Sequence, residues 1–233
     1  MCVVAVAWNA HPKWRLLVAG NRDEYHARAS APLVVWADLP ETIAGRDLVS
    51  GGSWMGISQA GRFAVVTNIR DADGPDPTKL SRGALVSDWL SAGNLPVGVE
   101  GFNPFNLIVT DTQSATFLSN RPASTQQSLP AGIHGLSNAI PHERWPRKER
   151  LVAQMTDWLA GPAMQPEALL DMLGDEETPD RDAHPIFIRS PVYGTRCSTL
   201  VAVDDAGGGW IVERRFDANG AVTGETAIDF NWA

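Results

Sequence analysis

A chain of 233 residues, 44% hydrophobic and 20% charged, can bury the core of an ordinary globular protein. Its formal charge of −8 argues against nucleic acid as the main partner, because phosphate binding calls for a basic surface. Two cysteines form neither a disulfide framework nor a metal cluster, and no apolar run approaches the ~20 residues that span a bilayer. Nothing in the chain reads as a linker, and its apolar start lacks a basic leader and a cleavage site. One cytoplasmic domain over residues 1–233 is expected, with no membrane span and with its oligomeric state open.

Residues 2–8 and 14–20 are apolar runs separated by Asn9-Ala10-His11-Pro12-Lys13, the pattern of a hairpin. Residues 21–32 are charged and read as irregular. A second hairpin is expected from Ser53 to Asn68, turning at Ala60-Gly61. The stretch from Ile69 to Thr78, with three aspartates and two prolines, has loop chemistry. Leu85 with Trp89 and Val86 with Leu90 predict an amphipathic helix over 81–92, stopped by Gly93 and Pro96.

Phe105–Thr110 and Ala115–Leu118 form a further expected hairpin, and Gly132–Asn138 a short strand. Trp145–Leu159 carries Leu151, Met155 and Trp158 on one face behind Pro146, which predicts a second helix. Pro166–Leu173 predicts a shorter third, and residues 174–185 an acidic exposed loop. From Thr199 onward the chain reads as a meander with turns at 204–209 and 219–220. Hairpins at both ends with helices between them are not the strict alternation of a parallel sheet. The pattern implies an α+β fold of two stacked, mainly antiparallel sheets with helices outside.

The chemistry gathers at the start. Initiator methionines are generally removed before a residue as small as Cys2. The mature chain would then carry a thiol and an α-amine on one residue, titrating near pH ~8.5 and ~8: a nucleophile with its own base. A cysteine early in an apolar strand is otherwise a small buried hydrophobe. Amide cleavage by such a thiol needs charges to hold its protonation state and donors aimed at the tetrahedral oxyanion. Asn21-Arg22-Asp23-Glu24 supplies charges close to Cys2 if the first strands pair. Asn68, Asn138 and Arg196 sit at strand ends, where singly they would read as turn formers or a solvated cation.

Together these residues resemble the NRDE family, the transport and Golgi organisation 2-like proteins. The resemblance is carried in order by Asn21-Arg22-Asp23-Glu24, Gly51-Gly52-Ser53-Trp54-Met55-Gly56-Ile57, Thr67-Asn68-Ile69-Arg70-Asp71, Gly135-Leu136-Ser137-Asn138-Ala139 and Gly194-Thr195-Arg196. Through that family the chain is similar to N-terminal-nucleophile hydrolases of the cholylglycine hydrolase and penicillin V acylase type. The resemblance implies a four-layer αββα sandwich and hydrolysis of a linear carboxamide through a thioester, with no cofactor and no metal. It implies Cys2 as nucleophile, Arg22 and Asp23 holding its thiol and amine, Asn68 and Asn138 as polar groups near oxyanion and amine, and Arg196 as the late arginine. Asp23 and Glu24 are interchangeable at this level. Two departures stand out: Cys197 where a hydroxyl residue is expected, and His142-Glu143-Arg144 where an Asp-containing turn is expected.

Two other readings compete. Ser137, Asp182 and His184 follow the order of a serine-hydrolase triad, but Pro141 would interrupt the helix that its elbow requires. A catalytically silent protein on the same fold could handle haem or a lipid, with His134 or His142 and some of the nine tryptophans lining an apolar pocket. Asp71, Asp73, Gly74 and Asp76 lack EF-hand spacing, and Gly207-Gly208-Gly209 opens no helix that would cradle phosphate.

Overall fold

The computed structural model describes residues 2–71, 74–161, 165–178 and 184–232. In chain order the strands are β1 (Val3–His11), β2 (Trp14–Tyr25), β3 (Ser30–Val35), β4 (Thr42–Asp47), β5 (Met55–Ser58) and β6 (Arg62–Asn68). After helix α1 (Arg82–Ala92) come β7 (Phe105–Thr110), β8 (Ala115–Ser119), β9 (Thr125–Ser128) and β10 (Gly132–Leu136). Helices α2 (Pro146–Ala160) and α3 (Ala168–Leu173) precede β11 (Tyr193–Asp204), β12 (Gly208–Phe216) and β13 (Val222–Asn231). The chain divides into two compact units, each built on one antiparallel sheet.

The first unit comprises residues 1–27, 131–137 and 144–231 and holds a six-stranded sheet ordered β10-β1-β2-β11-β12-β13. Alternation along its strands sends Val3, Ala5 and Ala7, Leu17 and Ala19, Leu200 and Ala202, and Val212 to one face. There they pack on Leu151 and Met155 of α2 and on Leu169, Leu170 and Leu173 of α3. Gly135 makes close packing possible: a Cβ there would lie 2.7 Å from Lys148 Cγ and 2.9 Å from Val152 Cγ2. Pro146 opens α2 at its first position, as the sequence predicts.

The expected irregular stretch at 21–32 is corrected here. Strand β2 runs without a break through Asn21, Arg22, Asp23 and Glu24 to Tyr25, and β3 begins at Ser30. Polar residues end a strand only when their side chains must stay in water. Asn21 and Asp23 are both buried and hydrogen-bonded, so the ladder with β11 continues past them.

The second unit, residues 28–130 and 138–143 with Trp232, is a seven-stranded meander in strict chain order, β3 to β9. Helix α1 lies on it through Leu85, Val86, Trp89 and Leu90, against Ala64, Val66, Leu107 and Val109. Its ends are those expected: Ser81 Oγ accepts from Gly83 N, and Gly93 closes the helix in the left-handed region at φ 68°. Arg62 Nη1 donates to the carbonyls of Leu90 (2.9 Å) and Ser91 (3.2 Å), which puts a cation at the negative end of the helix.

The glycine pair in Gly51-Gly52-Ser53-Trp54 has a packing cause. Ser53 N donates to Gly83 O, and a Cβ on Gly52 would lie 2.3 Å from the Gly83 carbonyl carbon. Backbone meets backbone, so no side chain can rotate away. Gly52→Ala is expected to cost about 3 kcal/mol, the upper range of overpacking, read as a lowered denaturation midpoint with an unchanged slope.

Candidate active site

Cys2 lies one residue before β1. The pairing of Val3 with Asn21 places Cys2 across from Arg22, and Arg22 pairs on its other side with Cys197 of β11. Paired residues on neighbouring strands share a face. Cys2, Arg22 and Cys197 therefore form a row on the face opposite to α2 and α3. Two strand spacings separate the sulfurs' backbones, roughly 9–10 Å, beyond the ~7 Å that a disulfide tolerates; both thiols are free.

Cys2 is partly buried and Arg22 partly buried beside it. Burial pushes the Cys2 thiol above the ordinary cysteine range, and the Asp23 carboxylate adds to that. The terminal ammonium, the Arg22 guanidinium and the backbone N–H of Asp23, which faces the sulfur, pull the other way. Cys197 is raised further, by deeper burial and then by the Glu213 carboxylate, which makes it an inert neighbour. Arg22 Nη2 lies 3.9 Å from Glu24 Oε2 on the same face.

Asp23 is placed differently from Arg22. Its side chain is fully buried on the helix side of the sheet, where Arg147 Nη1 of α2 donates to Oδ2 at 2.5 Å. Thr195 Oγ1 donates to its other oxygen at 2.7 Å, and Tyr193 Oη to its carbonyl at 2.9 Å. The backbone N–H of Asp23 is directed to Cys2. Asn21, on the same side, donates through Nδ2 to the carbonyls of Leu173 (2.8 Å) and Ile186 (2.9 Å) and accepts from Ser198 Oγ (2.6 Å).

Arg196 is the extra residue of a bulge: Thr195 pairs with Asp23 and Cys197 with Arg22, leaving Arg196 between them. Its Nη1 donates to the carbonyls of Tyr25 (2.9 Å) and His26 (3.0 Å), where the chain leaves β2. In the second unit, Asn68 ends β6 with its side chain exposed, and Asn138 is buried. Asn138 Nδ2 donates to Asn68 O at 2.5 Å, and Asn138 O accepts from Arg70 N at 2.8 Å. Asn138 Oδ1 is buried with no partner among the described residues.

The structure thus brings Cys2, Arg22 and the Asp23 backbone together, and pairs Asn68 with Asn138. Arg147 and Thr195, the partners of the Asp23 carboxylate, were not foreseen. The available signal was a basic residue straight after the helix-opening Pro146, where it opposes the helix dipole.

The competing sites look weaker. No helix follows Ser137: β10 ends at Leu136 and α2 opens only at Pro146. His184 is exposed, and Asp182 lies outside the described residues. Asp76 caps its own turn, accepting from Thr78 N and Oγ1, while Asp73 lies outside the described residues. No group of three potential metal ligands occurs among the described residues. His134 lies in β10 across from Val6, and exposed His142 takes a positive φ of 70° in the turn after Asn138. No helix among the described residues is long and apolar enough to cross a membrane.

The fold has solved counterparts. A Caenorhabditis elegans ortholog of N-acylethanolamine-hydrolyzing acid amidase matches with a TM-score of 0.55 at 13% identity, over 85% of this chain and 92% of that one. A mutant conjugated bile acid hydrolase from Clostridium perfringens matches at 0.51 and 9% identity, over 98% and 92%. The α+β fold is that of N-terminal-nucleophile hydrolases, as the resemblance implied. In sequence, the Transport and Golgi organization protein 2 homolog of Homo sapiens is 29% identical over 256 residues, covering 92% of each chain. The Drosophila melanogaster protein of that name is 26% identical over 167 residues, covering 61% of this chain and 59% of its own. The family model "Transport and Golgi organisation 2" matches residues 1–218, and the chain belongs to that family.

Proposed function

We propose that this protein is an amidohydrolase that cleaves a linear carboxamide of a small molecule, with Cys2 as nucleophile after removal of Met1. The observation that carries the reading is the placement of Cys2: partly buried at the mouth of β1, beside Arg22, with the Asp23 N–H facing its sulfur. The fold is shared with proteins named as an amide hydrolase and a bile acid hydrolase. A thiol raised by burial is protonated at neutral pH, so it needs a base at the moment of attack. The α-amine of a freed Cys2 is that base. It takes the thiol proton as sulfur attacks the carbonyl carbon, and the leaving amine carries the proton away. Water then hydrolyses the thioester.

The resemblance assigns Asn68 and Asn138 to the polar groups around oxyanion and amine, Arg22 and Asp23 to holding the nucleophile, and Arg196 to the late arginine. Asn138→Ala is expected to lower kcat by on the order of 10²-fold, about 3 kcal/mol of barrier, with KM moved less than threefold. Intact mass of protein purified from its own host tests the reading. Loss of one methionine and a single adduct at Cys2 from an activated acyl probe are expected. A chain that keeps Met1 and takes no adduct rules the reading out.

A further inference from the structure

A feature of the first unit goes beyond the residues already assigned. Arg147 is the second residue of α2 and is buried, its side chain 2% exposed. A guanidinium there stands at the positive end of the helix dipole and outside water, two costs that helix formation does not return. What offsets them is a closed network. Arg147 donates to Asp23 Oδ2 and to the carbonyl of Ile186; Thr195 Oγ1 donates to Asp23 Oδ1 and accepts from Ile188 N at 2.9 Å. With Tyr193 on its carbonyl, Asp23 is gripped on the helix side of the sheet through every polar group except its N–H. That N–H is the one directed to Cys2.

We propose that Arg147 is a positioning residue for Cys2, holding the Asp23 segment of β2 so that its backbone N–H stays on the Cys2 sulfur. The assignment rests on the reading of Cys2 as nucleophile. Arg147 acts in two ways: it fixes where the Asp23 backbone lies, and it offsets part of the carboxylate charge that opposes the thiolate. The charged and titratable groups around that sulfur are Arg22 with its partner Glu24, Asp23, Cys197 beyond Arg22, and the terminal ammonium. Substituting Arg147 replaces none of them; of these groups Asp23 is the one that loses an ion-pair partner.

The test reads the thiol itself and needs no substrate. Iodoacetamide labelling of the full chain is followed against pH, with the Cys2 and Cys197 peptides quantified separately by mass spectrometry. Arg147→Met is expected to move the Cys2 labelling midpoint to higher pH, giving about tenfold slower labelling at pH 7.5, with the Cys197 profile unmoved. Arg147→Lys, which keeps the charge, is expected to recover most of that rate. A folded Arg147→Met protein whose Cys2 profile equals the parent's overturns the proposal. Should that variant not fold, Thr195→Val, which removes the second grip on Asp23 together with the acceptor of Ile188 N, decides: a shift in the same direction supports the clamp, and an unmoved profile overturns it. A shifted Cys2 profile in a chain whose Cys2→Ala variant still cleaves amides at the parent rate would leave the clamp standing and remove the nucleophile.

Discussion

Cys2→Ala is expected to end amide turnover, by 10⁴-fold or more, the order seen when a nucleophile is removed from an enzyme of this covalent type. Stability should hardly move. The side chain is partly exposed at the lip of the sheet and packs in no core cluster, so losing one sulfur leaves no sizeable cavity. Activity and folding therefore separate cleanly at this position. Cys2→Ser should retain about 1% at most, because a hydroxyl is far harder to deprotonate than a thiol with the same base beside it. The pH profile follows from the direction of the thiol's displacement: burial raises it, so the rise of kcat/KM with pH should lie at higher pH than the rise an ordinary cysteine would give. Release of free amine from a panel of N-acyl amides, with intact mass reporting the thioester, measures all three outcomes. An alanine variant that turns over at the parent rate sinks the nucleophile assignment.

How far the sequence foretells this molecule depends on what each signal is made of. Strands β1, β2, β6, β7 and β11 are apolar runs broken by turn residues, so they are legible. Helices α1 and α2 announce themselves through Ser81 and Gly93 and through Pro146. Strands β3, β4 and β9 are mixed or polar: β9 reads Thr-Gln-Gln-Ser and is an edge strand that exists because β8 offers it a ladder. No local pattern encodes that. The candidate site shows the same division. Cys2 and Arg22 can be matched because they lie on strands joined by a short turn. The role of Asp23 cannot be read from its neighbours in sequence, since its partner Arg147 is 124 residues away and its facing is set by strand alternation. A run of four charged and polar residues looks like one cluster on paper. Alternation splits it, sending Arg22 and Glu24 to one face and Asn21 and Asp23 to the other.

That split makes Asn21 a structural residue, and its replacement should show it. Asn21 is 0% exposed and uses both ends of its amide. Its Nδ2 satisfies Leu173 O, one of the last-turn carbonyls of α3 that lack a partner within the helix, and Ile186 O in the segment leading to β11. Its Oδ1 takes the Ser198 hydroxyl on the neighbouring strand. Alanine would strand the Leu173 carbonyl and the Ser198 hydroxyl away from water, each costing on the order of 1–2 kcal/mol, would leave Ile186 O with Arg147 as its donor, and would leave a small void. A loss of about 4 kcal/mol is expected, equivalent to roughly 10 °C in melting temperature for a chain this long. Ser198→Ala, which removes one bond, should cost about 1 kcal/mol, and the double variant less than the sum, because both lose the same contact. At a temperature where Asn21→Ala remains folded, its activity per folded molecule should lie within threefold of the parent. If it loses activity at unchanged stability, Asn21 belongs to the chemistry, and the division of this strand into a reactive face and a packing face is wrong.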